Sequence, residues 1–317
     1  MLFDLPYPDL SFERTGNTGT PGVWHFNSGQ PGRSLLITSL IHGNELCGAW
    51  ALKALLASGL KPETGSLTLA FCNLDGYDAF DALNHDASRF VDEDLNRVWQ
   101  SNKLTSPSTR ERQRAAALLP WVKQADWLLD LHSMHEPGDP LLLTGTLPRN
   151  IALARQLAAP EHVIVDAGHK DGTRLRDFQQ FGDPARDDAC ALLIECGFHG
   201  DTRSVAVAKD MVARMLKASG ICSEEKIPSE WFLQNHADQR ILQVTHAIVA
   251  PSMNVRFAKN WQGLETLRHA GEVIGWIDDT PVVTPYDKCT LIMPSLRQLK
   301  PGVTVVRLAQ DYTESAE

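Results

Sequence analysis

Ser34-Leu-Leu-Ile-Thr-Ser-Leu-Ile-His-Gly-Asn-Glu45 is the stretch on which the reading of this chain turns. Its first eight residues form a largely apolar run that reads as a buried strand. The run stops at His42-Gly43-Asn44-Glu45, and a helical pattern follows from about Glu45 to Ser58. Leu46, Ala49, Trp50, Lys53, Ala54 and Leu56 give that helix an apolar face, and Gly59 and Pro62 close it. A His and a Glu three residues apart at a strand's C-terminal end can converge on one metal ion. Open α/β sheets bind ligands at that edge.

Outward from this unit the pattern repeats. Upstream, a Pro-, Gly- and Ser-rich segment holds one short strand near 22–26. Downstream, strands are expected at 66–73, 126–132, 141–144, 162–166 and 189–197, and helices at 109–124, 149–158 and 204–218. This alternation predicts an α/β fold, a mostly parallel or mixed sheet flanked by helices. Residues 74–108 read as a long irregular loop whose dense charges and aromatics point to function. After about residue 227 the composition changes to short strands joined by Gly, Pro and Asp turns. The expected domains are therefore 1–235, catalytic, and 236–317, all-β.

Composition excludes some classes. The net charge of -9 and a pI near 5.7 speak against a general nucleic-acid binder. No apolar run reaches the roughly 18 residues of a membrane span, and the acid and prolines of Met1-Leu-Phe-Asp-Leu-Pro-Tyr-Pro8 do not suit a signal peptide. Six cysteines without a C-x-x-C pair read as reduced, buried thiols. A cytoplasmic protein without nucleic-acid or membrane partners is expected.

Four strand ends carry polar groups: His42 with Glu45, Asn73, His132 and Glu195. Two His and one carboxylate form a catalytic zinc set that leaves a position for water, so His42, Glu45 and His132 are the candidate ligands. His135 competes for the third place. Asp130 shares a strand face with His132 and could orient its imidazole. Glu195 follows a run of apolar and thiol residues. It reads either as a salt-bridged carboxylate or as a general base whose pKa burial raises.

These residues, in this order, resemble the zinc carboxypeptidase-like amidohydrolases of the succinylglutamate desuccinylase/aspartoacylase family. His42-Gly-Asn-Glu45 is similar to that family's H-G-N-E metal motif and Asp94-Leu-Asn-Arg97 to its D-L-N-R substrate motif. Asp130-Leu-His132 is similar to the segment of its third ligand, and Glu195-Cys-Gly197 to its E-x-G turn. The resemblance covers roughly residues 34–220 and implies the zinc carboxypeptidase-like fold, one Zn2+ per chain on His42, Glu45 and His132, and Glu195 as general base and acid. It also implies Arg89 at the oxyanion, Asn96 and Arg97 on a substrate carboxylate, and a further arginine upstream of Glu195. Arg174, Arg176 and Arg186 compete for that place, with Arg174 preferred. Tyr286 is a weak counterpart of a pocket tyrosine. Pairing with Asp92, Glu93 or Asp94 is the structural alternative for Arg89 and Arg97.

The function so implied is hydrolysis of the amide bond of a small N-acyl amino acid or similar N-acylated amine bearing a carboxylate. The alternative is a metallocarboxypeptidase acting on short peptides. The resemblance gives the C-terminal β domain the task of narrowing the active-site mouth, which would separate the two. A metal-binding module without catalysis and an acidic scaffold are the remaining readings.

Overall fold

A computed structural model of the chain describes residues 3–168, 172–234 and 238–313. The first half runs β1 (Val23–Asn27), β2 (Ser34–Ser39), α1 (Leu46–Ala57), β3 (Ser66–Phe71), α2 (Leu74–Asp78), α3 (Ser101–Thr105), α4 (Arg110–Lys123) and β4 (Trp127–Met134). There follow β5 (Leu141–Leu143), α5 (Pro148–Leu157), β6 (His162–Val165), β7 (Cys190–Phe198) and α6 (Arg203–Ser219). The C-terminal segment holds β8 (Arg240–Val249), β9 (Val255–Phe257), β10 (Thr266–Leu267), β11 (Val273–Ile277), β12 (Thr280–Val283), β13 (Cys289–Ile292) and β14 (Thr304–Asp311).

One eleven-stranded sheet of order β1-β3-β2-β4-β7-β5-β6-β8-β14-β13-β10 organises the chain, and β12-β11-β9 form a separate small sheet. The large sheet is mixed. β3, β2, β4 and β7 are parallel, β5 runs antiparallel to β7, and β6 and β8 follow the direction of β5. The fold is therefore the expected α/β architecture with a C-terminal all-β part. Four strands of that part, β8, β14, β13 and β10, continue the main sheet through the parallel β6–β8 pair. The expected boundary at 235/236 lies outside the described residues.

The central strands are largely apolar because both their faces are covered. Leu35, Ile37, Leu129, Leu131, Leu192 and Ile194 face α1, α5 and α6 in one core cluster. Leu36, Leu128, Ala189 and Ala191 face α4 and the 172–181 segment in another. Helix α1 packs on β2 and β4 beside α6 and buries Leu46, Cys47, Gly48, Ala49, Ala51, Leu52 and Leu55. Its burial is thus wider than the single expected face, and Trp50, Ala54 and Leu56 are only partly buried against the same cluster.

The 74–108 stretch is more ordered than its sequence suggests. It contains α2, α3 and single helical turns at His85–Ser88 and Leu95–Arg97. Each is too short to show a hydrophobic period, and side-chain caps set two of them. Asn73 accepts from Gly76 N and Asp94 from Asn96 N. The buried Glu111 of α4 accepts from the amides of Val91, Asp92 and Glu93, at 2.7, 3.1 and 3.2 Å. One carboxylate thus fixes the loop between Arg89 and Arg97. No helix among the described residues is long and apolar enough to cross a membrane.

Candidate active site

The turn after β2 is tightly determined. Leu40 sits at φ 55°, a costly conformation for a branched side chain that neighbouring structure must enforce. Gly43 passes so close to Gly76 that a Cβ would lie 2.1 Å from its carbonyl carbon, so no other residue fits. Its amide donates to Arg89 O at 3.0 Å, which ties the turn to the 85–97 loop. This clamp aims His42 and Glu45 at the end of β4, where His132 stands beside Glu195 across the β4–β7 pair.

His42, Glu45 and His132 are all buried, and one ligand atom of each lies within 4.8 Å of the others. His42 Nδ1 is 2.7 Å from Glu45 Oε1, and His132 Nδ1 is 2.8 Å from Glu45 Oε2. Both imidazoles turn Nδ1 inward and give Nε2 to an aspartate: Asp94 for His42 at 3.0 Å, Asp130 for His132 at 2.9 Å. Carboxylates behind ligand imidazoles fix ring orientation and raise basicity. Asp130 is held in turn by Thr38 Oγ1, its partner in the β2–β4 register, at 2.6 Å. The donor set, its inward nitrogens and its outer carboxylates fit a divalent metal with imidazole and carboxylate ligands. His135 is not part of this group; its carbonyl accepts from Arg297 Nη1.

The charges are strongly interdependent. Burial acts to raise the Glu45 carboxyl, but the His42 and His132 imidazoles hold it well below the usual carboxylate range. Burial acts to lower His132, yet Asp130 and Glu45 keep its imidazolium protonated well above the usual histidine range. A metal must therefore displace that proton. Metal uptake is expected to release protons, and affinity to fall by up to about tenfold per pH unit for each proton released. Calorimetric titrations in buffers of differing ionisation enthalpy, between about pH 6 and about pH 8, measure this. Affinity independent of both pH and buffer would contradict the His132–Glu45 protonation.

Glu195 is the opposite case. Burial, then the Glu45 charge, push its carboxyl up to about 8. Its Oε2 is buried without a hydrogen-bond partner among the described residues, and the His132 and Arg89 charges act against the rise. Arg89 reaches the same cluster, with Nη1 3.4 Å from Glu45 Oε1 and Nη2 3.2 Å from Asp94 Oδ2. The aspartate pairing considered for Arg89 is present, and the same pair places its guanidinium at the metal-capable group.

The other candidates are spread around this centre. Asn96 is buried and accepts from Leu175 N at 2.9 Å through Oδ1, which joins the 85–97 loop to the 172–181 segment. Arg97 Nη1 donates to the Asn96 carbonyl. Arg174 and Arg176 are both buried and share Asp177, at 2.8 and 2.7 Å. Arg174 also lies 3.9 Å from Asp166. Arg186 is exposed and paired with Asp188, which leaves Arg174 and Arg176 as the buried pair. Tyr286 packs on the C-terminal cluster with its hydroxyl 2.6 Å from Thr245. Asn73 caps α2 and donates to Glu111.

Several contributors had escaped sequence reasoning. Asp94 as the partner of His42, Thr38 behind Asp130, and Ser133 N donating to Glu45 Oε2 at 3.2 Å are contacts between distant segments. Arg307 on β14 reaches Asp166 at 3.1 Å and so brings the C-terminal segment to the arginine cluster. Only Thr38 carried a signal, a hydroxyl inside an otherwise apolar strand.

Residues 31–185 match the profile of the succinylglutamate desuccinylase/aspartoacylase catalytic domain. A succinylglutamate desuccinylase of Paraburkholderia xenovorans is 32% identical over 114 residues, which are 32% of this chain and 31% of that protein's length. Among solved structures, a succinylglutamate desuccinylase of Vibrio parahaemolyticus superposes with a TM-score of 0.68 at 17% identity, over 94% of this chain and 88% of that one. A succinylglutamate desuccinylase/aspartoacylase of Rhodobacter sphaeroides gives 0.65 at 20% identity, covering 92% and 88%. The product-bound ectoine utilization protein EutE (DoeB) of Ruegeria pomeroyi gives 0.64 at 18% identity, covering 90% and 88%. At these identities the structural matches establish the fold.

Proposed function

We propose that the chain, whose residues 31–185 match the succinylglutamate desuccinylase/aspartoacylase catalytic-domain profile, is a zinc-dependent amidohydrolase. Its substrate is a small N-acyl amino acid or similar N-acylated amine. The observation that carries this reading is Glu195, a carboxyl with an unpartnered buried oxygen beside a His–Glu–His set. Two imidazoles and a carboxylate suit zinc. Bound by His42, Glu45 and His132, the ion would supply Lewis acidity and acidify the attacking water.

The chain's own groups supply the remaining steps. Glu195 Oε2 takes a proton as the water oxygen bonds to the amide carbon. The same carboxyl then passes that proton to the nitrogen as the C–N bond breaks, leaving a carboxylic acid and an amine. Burial raises this carboxyl above the ordinary carboxylate range, and a pKa brought nearer to neutrality suits a group that first takes and then gives a proton. Arg89 supports the developing oxyanion. Asn96, Arg97 and Arg174 hold the carboxylate of the amino acid, for which a guanidinium fork is suited. Segment 236–317 acts as the cap. Support comes from its 293–297 loop, where Ser295 donates to Glu136 at 3.1 Å and Arg297 to the His135 carbonyl at 2.6 Å. The six unpaired, buried thiols support a cytoplasmic setting.

The test is a turnover screen over N-acetyl, N-succinyl and N-formyl amino acids with and without chelator. Hydrolysis lost on chelation and restored by zinc is expected. Activity that survives chelation, or cleavage of short peptides in preference to N-acyl amino acids, would replace this reading.

A further inference from the structure

A cavity of about 600 Å³ lies between the loop after β4 and the C-terminal segment, bounded by residues 134–141, 257–264 and 293–297. Pockets of this size take drug-sized ligands; an acetyl group would leave most of it empty. The cavity adjoins the catalytic centre. Leu141 on its wall is the register partner of Glu195 across β5 and β7, and opposed residues share a sheet face. Met134 and His135, also on its wall, directly follow the His132 segment.

Its lining mixes apolar side chains with the polar Asn260, Gln262 and Ser295. Phe257, Trp261, Leu264, Met293 and Leu296 supply the apolar surface. Of its two cations, Lys259 is engaged by Glu265, and Arg297 by Asp86 and the His135 carbonyl. The carboxylates on its wall, Glu136 and Asp139, repel a second anion. An anionic arm such as succinyl would meet like charge and no uncommitted cation among the described residues.

We propose that this cavity receives the acyl arm of the substrate and that the arm is apolar, a medium-length alkyl or aryl group rather than acetyl or succinyl. The inference rests on the amide-hydrolase reading above. With the amino acid's carboxylate on the arginine side of Glu195, the arm across the scissile bond is the one that faces the cavity.

Gly263 provides the test. It lines the cavity, its backbone is outside the left-handed region, and a Cβ there would meet nothing within 4 Å. Gly263→Trp therefore adds bulk at the cavity wall without backbone strain. The zinc-loaded enzyme is assayed on N-acetyl, N-hexanoyl, N-phenylacetyl and N-succinyl derivatives of aspartate and glutamate. The hexanoyl and phenylacetyl compounds are expected to exceed acetyl in kcat/KM by at least about tenfold. Gly263→Trp is expected to remove that advantage, bringing hexanoyl and phenylacetyl kcat/KM down to within about twofold of acetyl. Calorimetry is expected to show hexanoate binding to the parent protein and none to the variant. Equal turnover of acetyl and hexanoyl compounds, or preference for succinyl, overturns the acyl-arm assignment with the hydrolase reading intact. Hydrolysis of none of the compounds overturns both.

Discussion

Glu195→Gln is expected to lower turnover by about 10³-fold with zinc content unchanged. The reasoning begins with position. Glu195 stands beside His132 in the β4–β7 register but outside the group of potential ligands, so an amide there leaves the metal donors in place. What is lost is the ability to accept a proton. Gln keeps the shape and one carbonyl acceptor of Glu but cannot carry a proton from water to the leaving nitrogen. A structural role would behave differently, and pH separates the two. The metal-free fold pushes the Glu195 carboxyl up to about 8, so it favours the protonated form. Stability tied to that group is full below the ordinary carboxylate range and is lost as pH rises through about 8. The neutral Gln is therefore expected to be at least as stable as Glu at alkaline pH, and melting temperatures across that window measure it. An inactive variant that also melts far lower would indicate damage to the fold. Near-parental activity in a well-folded variant would remove Glu195 from the mechanism.

Much of this centre can be read from sequence because its parts are local. His42 and Glu45 sit on one turn, Asp130 and His132 on one strand face, and Glu195 at the end of one apolar run, so spacing alone places each at a strand end. The resemblance to a known family then links the three segments and assigns Arg89, Asn96 and Arg97. What resists reading is held by contacts far apart in sequence. No local pattern states that Glu111 on α4 gathers three amides of the 91–93 loop. Nor does any state that Asp94 lies behind His42, or that Arg307 on β14 reaches Asp166. The C-terminal strands read as β because their turns are explicit, but their continuation of the main sheet depends on β8 pairing with β6. Hydrophobic alternation specifies which face is buried and not which strand becomes a neighbour. The short helices of 74–108 escaped for a related reason: five-residue helices and single turns are set by caps, and periodicity needs a longer run to show.

His132→Ala is expected to weaken zinc binding by more than the 100-fold that loss of an outer-shell partner can cause, and to abolish turnover with it. The substitution removes one of three donors, and His42 and Glu45 alone cannot complete the set. It also strands a charge. Asp130 is fully buried, with His132 Nε2 at 2.9 Å and Thr38 Oγ1 at 2.6 Å as its side-chain partners. Deleting the imidazole leaves the hydroxyl as its remaining side-chain partner, and removing one member of a buried pair costs about 3–5 kcal/mol. Glu45 keeps the amide of Ser133 and the His42 ring, so the damage concentrates at Asp130. The two losses can be separated. Adding Asp130→Asn to His132→Ala replaces the stranded charge by a neutral amide that Thr38 can still contact, and should recover part of the lost stability. It cannot recover a donor, so zinc content and turnover should stay at the level of the single variant. Chemical denaturation reports the first effect and metal analysis after dialysis the second. Full zinc occupancy in His132→Ala would mean that the third ligand lies elsewhere, and stability unchanged from the parent would mean that Asp130 does not depend on His132.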